Sequence, residues 1–310
     1  MRELTVGTND GEQRLDRFLL KVFPRATTSF IQKKIRQKKI KVNHVRAESG
    51  TFLHEGDLVQ IYLYEEILHP LEERRAIPTS SLRLSYAYDG AQFSVIDKPA
   101  GVLSHPADPR DYGKTVVDAF VHDRIVSGEY VPRREKSFTP ALVNRLDMQT
   151  AGLLIGAKSH SAMLLLQQGL RDGRIEKHYL AYVEGIIDCE EVITLPLRTE
   201  RGKSVVDPNG KPCVTHVSPV KTGNGFSLIA IRLETGRTHQ IRAHLSASGH
   251  PLIGDRPYGA TFRTNVFKHH LLLSSHLLFH DGEPLALPTP FNVYSKQTEQ
   301  FKALWSTIAS

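Results

Sequence analysis

Cysteine is almost missing from this 310-residue chain: Cys189 and Cys213 are its only two, and their spacing suits neither a disulfide framework nor a structural zinc site. A reducing compartment is expected. Long apolar runs are missing too. No stretch approaches the roughly 18 residues that a membrane-spanning helix needs, and the opening Met1-Arg2-Glu3-Leu4 is already interspersed with acid. We expect a soluble cytoplasmic protein with no membrane partner. Internal repeats and low-complexity tracts are also absent, and a hydrophobic content of 40% supports a packed core rather than disorder. Histidine, by contrast, is plentiful, and His239, His244 and His250 invite a metal reading. On a helix, however, positions five apart diverge by roughly 140°, and no nearby carboxylate completes a ligand set. No metal is expected.

What is present is positive charge, unevenly placed. The chain carries a net +7, and residues 1–64 hold 12 basic and 7 acidic side chains, so most of the excess lies in the first fifth. From Ile31 to Lys41 there are six basic residues, Lys33, Lys34, Arg36, Lys38, Lys39 and Lys41, and no acid. A solvated helix face is the ordinary reading of such a run. Without acids, though, the run has no i,i+4 ion pairs and repels itself, a cost that phosphates would remove.

Local patterns place these residues on elements. Leu15, Phe18, Leu19 and Val22 have helical spacing ending before Pro24, and a second helix carrying Ile31 and Ile35 opens with Ser29 and Gln32 as a capping box. Ile40 and Val42 before an Asn43-His44 turn, and the alternating Asp57–Leu63, read as strands. Residues 67–84 contain paired charges and prolines with little periodicity, which suggests a linker. Beyond it, Phe93–Ile96 reads as a strand running into the Lys98–Gly101 turn. Thr115 and Ser159 are candidate helix caps, and His178–Val183 reads as a strand.

Two segments carry chemistry. Asn144-Arg145-Leu146-Asp147 lies between apolar runs at 141–143 and 153–155, so two buried strands would present one carboxylate rigidly at a turn. Asp147 is the candidate nucleophile; its bland alternative is a turn-forming Asx residue. Thr235–His244 packs two arginines, two histidines and a glutamine into ten residues behind a turn glycine. Such density rarely serves a core.

In order along the chain, six motifs resemble the RluA-type pseudouridine synthases: Asp97–Gly101, Asn144–Asp147 with Thr150 and Gly152, Lys177–Ala181, Thr235–Arg242, His250–Asp255 with Tyr258-Gly259, and Lys268–Leu272 through Phe279. Residues 12–64 resemble the S4 RNA-binding domain, and the combination is most similar to the large-subunit rRNA branch. The resemblance implies a two-domain α+β protein. An S4-like RNA-binding domain would occupy 1–66, a linker 67–84, and a catalytic domain with a mixed, largely antiparallel sheet 85–310. It implies isomerisation of uridines in structured RNA, 23S rRNA first and tRNA second, without a cofactor. Nothing in the composition demands more than a monomer.

Carried over by residue, the resemblance makes Asp147 the attacking carboxylate, on sugar or uracil ring. Arg242 becomes the partner that keeps it ionised and oriented, or else a phosphate contact. Tyr179 would cover the flipped base and help move the C5 proton, with a core tyrosine as its alternative. Arg145 would fill the vacated stack or hold a flanking phosphate, unless it closes a structural salt bridge. His105, Arg237, His239 and Gln240 are expected in the same cleft, as base contacts or loop braces. Asn144, Met148 and Ala151 depart from the usual His, basic residue and Ser; Asn can still satisfy turn backbone groups. Two other functions remain open from the residues: an inactive RNA-binding ribosome-assembly factor, and a nucleoside hydrolase or RNA glycosylase cleaving at C1′.

Overall fold

The computed structural model describes residues 1–72, 79–132, 137–200, 202–262 and 267–309. Part of the expected linker, 73–78, lies outside the described residues.

The N-terminal region builds its own core. Helices Leu15–Val22 and Thr28–Arg36 bury Leu15, Phe18, Leu19, Ile31 and Ile35 against a four-stranded antiparallel sheet ordered Arg2–Thr5, Leu58–Ile61, Ile40–Val42, Val45–Arg46. The second helix is capped by Thr27, whose hydroxyl accepts from the Phe30 amide at 3.2 Å, so Ser29 lies inside the first turn instead of capping it. Leu68 and Leu71 pack on this core, past residue 66 and inside the stretch expected as linker. Contacts also reach the larger region: Asp10 accepts from the Ser137 amide, and Gln13 Nε2 donates to Ser137 Oγ at 2.8 Å.

Ten strands form the main sheet among the described residues. Its path runs Glu191–Ile193, Thr215–Gly223, Phe226–Leu233, Ile175–Glu184, Leu272–Phe279, Ala151–Ala157, Phe93–Lys98, Tyr86–Asp89; Phe291–Tyr294 and Ala141–Leu142 pair off this path. Pairing is antiparallel except where Ala151 and Gly152 run parallel to Leu273 and Ser274. Gly152 is required at that junction: its φ is +102°, and a Cβ there would sit 2.1 Å from the Ser274 carbonyl oxygen. Helices Val116–Val126, capped by Thr115, and His160–Arg171, capped by Ser159, contribute Phe120 and Leu166 to the cores beside this sheet. One core contains Leu146, Tyr179, Leu233, Ile241 and Leu272 and underlies the cleft described next. No helix among the described residues is long and apolar enough to cross a membrane.

Candidate active site

Asp147 sits in the loop of a wide hairpin. Leu142 pairs with Gly156 and Ala141 with Ala157, so the strands before and after the loop are antiparallel neighbours. Three side chains fix that loop. Asn144 Oδ1 accepts from the Ile155 amide at 2.8 Å, which closes the hairpin. Ser104 Oγ donates to the Leu146 carbonyl at 2.8 Å, immediately before the carboxylate. Lys98 is fully buried and donates to the carbonyls of Pro99, Val102 and Met148 at 3.0, 2.8 and 2.8 Å, the last immediately after the carboxylate. Burial pushes the Lys98 ammonium down to about 8, against the opposing pull of the Asp147 charge.

The carboxylate faces the helix Gln240–Ala247. Arg242 Nη1 lies 3.2 Å from Asp147 Oδ2, while its Nε and Nη2 form a bidentate pair with Asp255 at 2.7 and 2.8 Å. Asp255 is 1% exposed and the Arg242 side chain 9%, so the guanidinium is a buried, pre-oriented cation rather than a surface phosphate contact. Tyr258 stacks on it, with the guanidinium carbon 4.6 Å from the ring centre. His239 Nε2 stands 3.6 Å from the same Asp147 oxygen. Burial lowers the His239 pKa, with the negative Asp147 opposing and Arg242 reinforcing the shift, so the ring is neutral near pH 7.

Asp147, Tyr179, Arg242, Arg145, Arg237, His239 and Gln240 line one cleft with Thr150 and Leu272, enclosing about 60 Å³ of free volume. His105 does not line it; it is exposed, near enough to Arg145 to feel that charge. Arg145 is exposed at the cleft and, among the described residues, has no ion-pair partner. Gln240 is a brace. Its Oε1 accepts from Thr235 Oγ1 and the Arg237 amide, and its Nε2 donates to the Val214 carbonyl and Thr215 Oγ1. All four of its hydrogen-bonding positions are filled, so none remains for a substrate. Tyr179 is pushed up to about 12, chiefly by burial and further by the Asp147 charge, against a Ser274 hydrogen bond that lowers it. It remains a neutral phenol.

A family model described as RNA pseudouridylate synthase matches residues 92–247, and an S4 domain model matches 13–59. The chain belongs to the RNA pseudouridylate synthase family. Its relatives include the ribosomal large subunit pseudouridine synthase D of Nitrosomonas europaea, 32% identical over 84% of this chain and 72% of that protein. The Pasteurella multocida protein of the same name is 32% identical over 80% of this chain and 73% of its own length. Among solved structures, human RNA pseudouridylate synthase domain containing 4 shares the fold at a TM-score of 0.55 and 20% identity, over 72% of this chain and 92% of that one.

Within this pseudouridine synthase fold, several residues that build the cleft had no assigned role in the sequence. Asp255, Tyr258 and His270 occur in the His250–Gly259 and Lys268–Leu272 motifs, which were the available signal. Buried His270 faces Thr150 Oγ1 at 3.0 Å, and the Thr150 amide donates to the Asp147 carbonyl at 3.1 Å, anchoring the loop from its far side. His244, a metal candidate by type alone, is fully buried with its ring nitrogens at Thr215 Oγ1 and the Leu195 carbonyl.

Among Lys33, Lys34, Arg36, Lys38, Lys39 and Lys41, no ion-pair partner is found among the described residues. Lys34 lies over the Phe30 ring and Lys41 over the Tyr62 ring, each at 5.3 Å.

Proposed function

We propose that this synthase isomerises uridines of large-subunit ribosomal RNA, with Asp147 as nucleophile and without cofactor or metal. The observation that carries the reading is the Asp147 carboxylate. It is rigidly held, 19% exposed into a cleft, and paired with a buried guanidinium. Such a group can bond to carbon and later leave as carboxylate. The net reaction exchanges the N1–C1′ bond for a C5–C1′ bond; C5 loses a proton and N1 gains one. No oxidation state changes, so no redox cofactor is called for.

Tyr179 would cover the extruded base and assist proton movement from C5 as a phenol rather than a standing phenolate. Extruding a stacked uridine costs a few kcal/mol, and Arg145, exposed at the cleft, is suited to fill the gap or hold the adjacent phosphate. Arg237 would serve at the cleft rim and His105 on RNA outside it. We assign Gln240 to bracing. The N-terminal unit, whose six basic side chains have no ion-pair partner among the described residues, would grip RNA phosphates; we divide the chain into this unit, a connecting stretch within 67–84, and a catalytic domain from 85. The ribosomal substrate is favoured by the names of the relatives.

The test uses purified full-length protein and 23S rRNA fragments carrying tritium at uridine C5, with tRNA transcripts in parallel. Tritium release into water with the base retained on the RNA is expected, and Asp147→Asn should abolish it. Release of free uracil would instead establish cleavage at C1′, and activity on tRNA alone would overturn the ribosomal assignment.

A further inference from the structure

The two oxygens of Asp147 are not equivalent. Arg242 Nη1 at 3.2 Å and His239 Nε2 at 3.6 Å both address Oδ2, and among the described residues no donor binds Oδ1. Behind His239, its Nδ1 lies 3.0 Å from the Tyr258 hydroxyl. That hydroxyl already accepts from the Ser204 amide at 2.9 Å and has one proton to place, on His239 Nδ1 or on the Ser204 carbonyl at 3.2 Å. The negative carboxylate in front of Nε2 favours a hydrogen there, which leaves the lone pair on Nδ1 and directs the Tyr258 proton to it.

We propose that His239 and Tyr258 are positioning residues that, together with Arg242, hold Oδ2 and reserve Oδ1 as the oxygen that bonds to the uridine. This rests on Asp147 being the nucleophile. An Oδ1 lone pair forms the bond to carbon, while the displaced electron pair leaves with N1 or moves out of the C5–C6 double bond, according to the atom attacked. Oδ2 becomes the ester carbonyl oxygen. When the ester opens, the pair returns to the carboxylate and the charge on Oδ2 meets Arg242 and the His239 Nε2 hydrogen. The contact at 3.6 Å would tighten with substrate bound, as such contacts commonly do. The backbone supports the assignment: His239 caps its helix at φ +50°, and Gln240 fixes that turn through the Arg237 amide.

The groups facing the His239 ring are Asp147, Arg242, Asp255, Arg145 and Tyr258. The test is steady-state kinetics of full-length variants on a 23S rRNA transcript. His239→Asn suits the positive φ but cannot reach Asp147, whereas His239→Gln can present an amide hydrogen near the Nε2 position. His239→Asn should lower kcat by about 10- to 100-fold with KM little changed, and His239→Gln should recover much of the loss. Tyr258→Phe, which removes the donor to Nδ1, should shift the pH profile of kcat upward.

A rise in KM at constant kcat, or equal loss in the Asn and Gln variants with an unmoved profile in Tyr258→Phe, would overturn the proposal. Asp147→Asn in the same assay separates the two readings. Turnover by that variant removes the nucleophile and this proposal together, while an inactive Asp147→Asn beside a wild-type kcat in His239→Asn removes this proposal alone.

Discussion

His270 makes the stability of the cleft depend on pH. It is 7% exposed, faces Thr150, and is held down to about 4 by burial, with the Arg242 charge adding to the shift while Asp255 and Asp147 oppose it. The unfolded chain protonates this ring near its ordinary value of 6.5, so between 6.5 and about 4 the unfolded state binds more protons. Stability therefore falls with decreasing pH in that window and is unaffected above it. At about 1.4 kcal/mol per unit, the His270 contribution reaches roughly 3 kcal/mol below pH 4 and about 2 kcal/mol at pH 5. Glutamine can keep a hydrogen bond to Thr150 and does not titrate. Urea unfolding of wild type and His270→Gln at pH 7 and pH 5 should show the variant gaining about 2 kcal/mol on wild type at the lower pH. A difference independent of pH would refute the reasoning.

Other perturbations have distinct signatures. Asp255→Asn removes the buried partner of Arg242 and should cost about 3 to 5 kcal/mol in denaturant unfolding, with loss of activity; a variant as stable as wild type would show that Arg242 needs no second carboxylate. Lys98→Met strips three carbonyls of their donor and should lower kcat through the Asp147 loop, together with about 1 to 3 kcal/mol of stability, measured by the same two assays. Tyr179→Phe should reduce kcat while leaving the melting transition and RNA affinity near wild type, which a purely structural tyrosine would not do. Replacing Lys33, Lys34, Lys38 and Lys39 by Gln should flatten the salt dependence of RNA binding by about 0.7 to 0.9 in log-log slope for each phosphate no longer neutralised.

Local signals in the sequence were reliable where the stabilising group lies within one turn of what it stabilises. Thr115 and Ser159 cap the helices they precede, and the strand entering Lys98 and the one carrying Tyr179 were legible from their apolar runs. The cap of the basic helix is Thr27 and not Ser29, two residues of equivalent hydroxyl chemistry that only backbone geometry separates. The first strand, Arg2–Thr5, has little apolar content of its own and is defined by pairing with Leu58–Ile61. At the candidate site, residue type and motif placed Asp147, Arg242 and Tyr179 together. Whether Gln240 bonds substrate or braces a loop depends in part on Val214 and Thr215, 26 and 25 residues away, which no local pattern encodes. The roles of Asp255 and His270 were likewise hidden, since each depends on a partner outside its own motif, Arg242 for Asp255 and Thr150 for His270.

On the proposed reading, Asp147 carries out uridine isomerisation in ribosomal RNA. Pseudouridine mapping on ribosomal and transfer RNA from cells lacking this protein, complemented with wild type or with Asp147→Asn, tests it directly. One or more 23S rRNA sites should disappear in those cells and return only with wild type. Equal rescue by the mutant, or no missing site at all, would contradict it and favour an RNA-binding role for the chain.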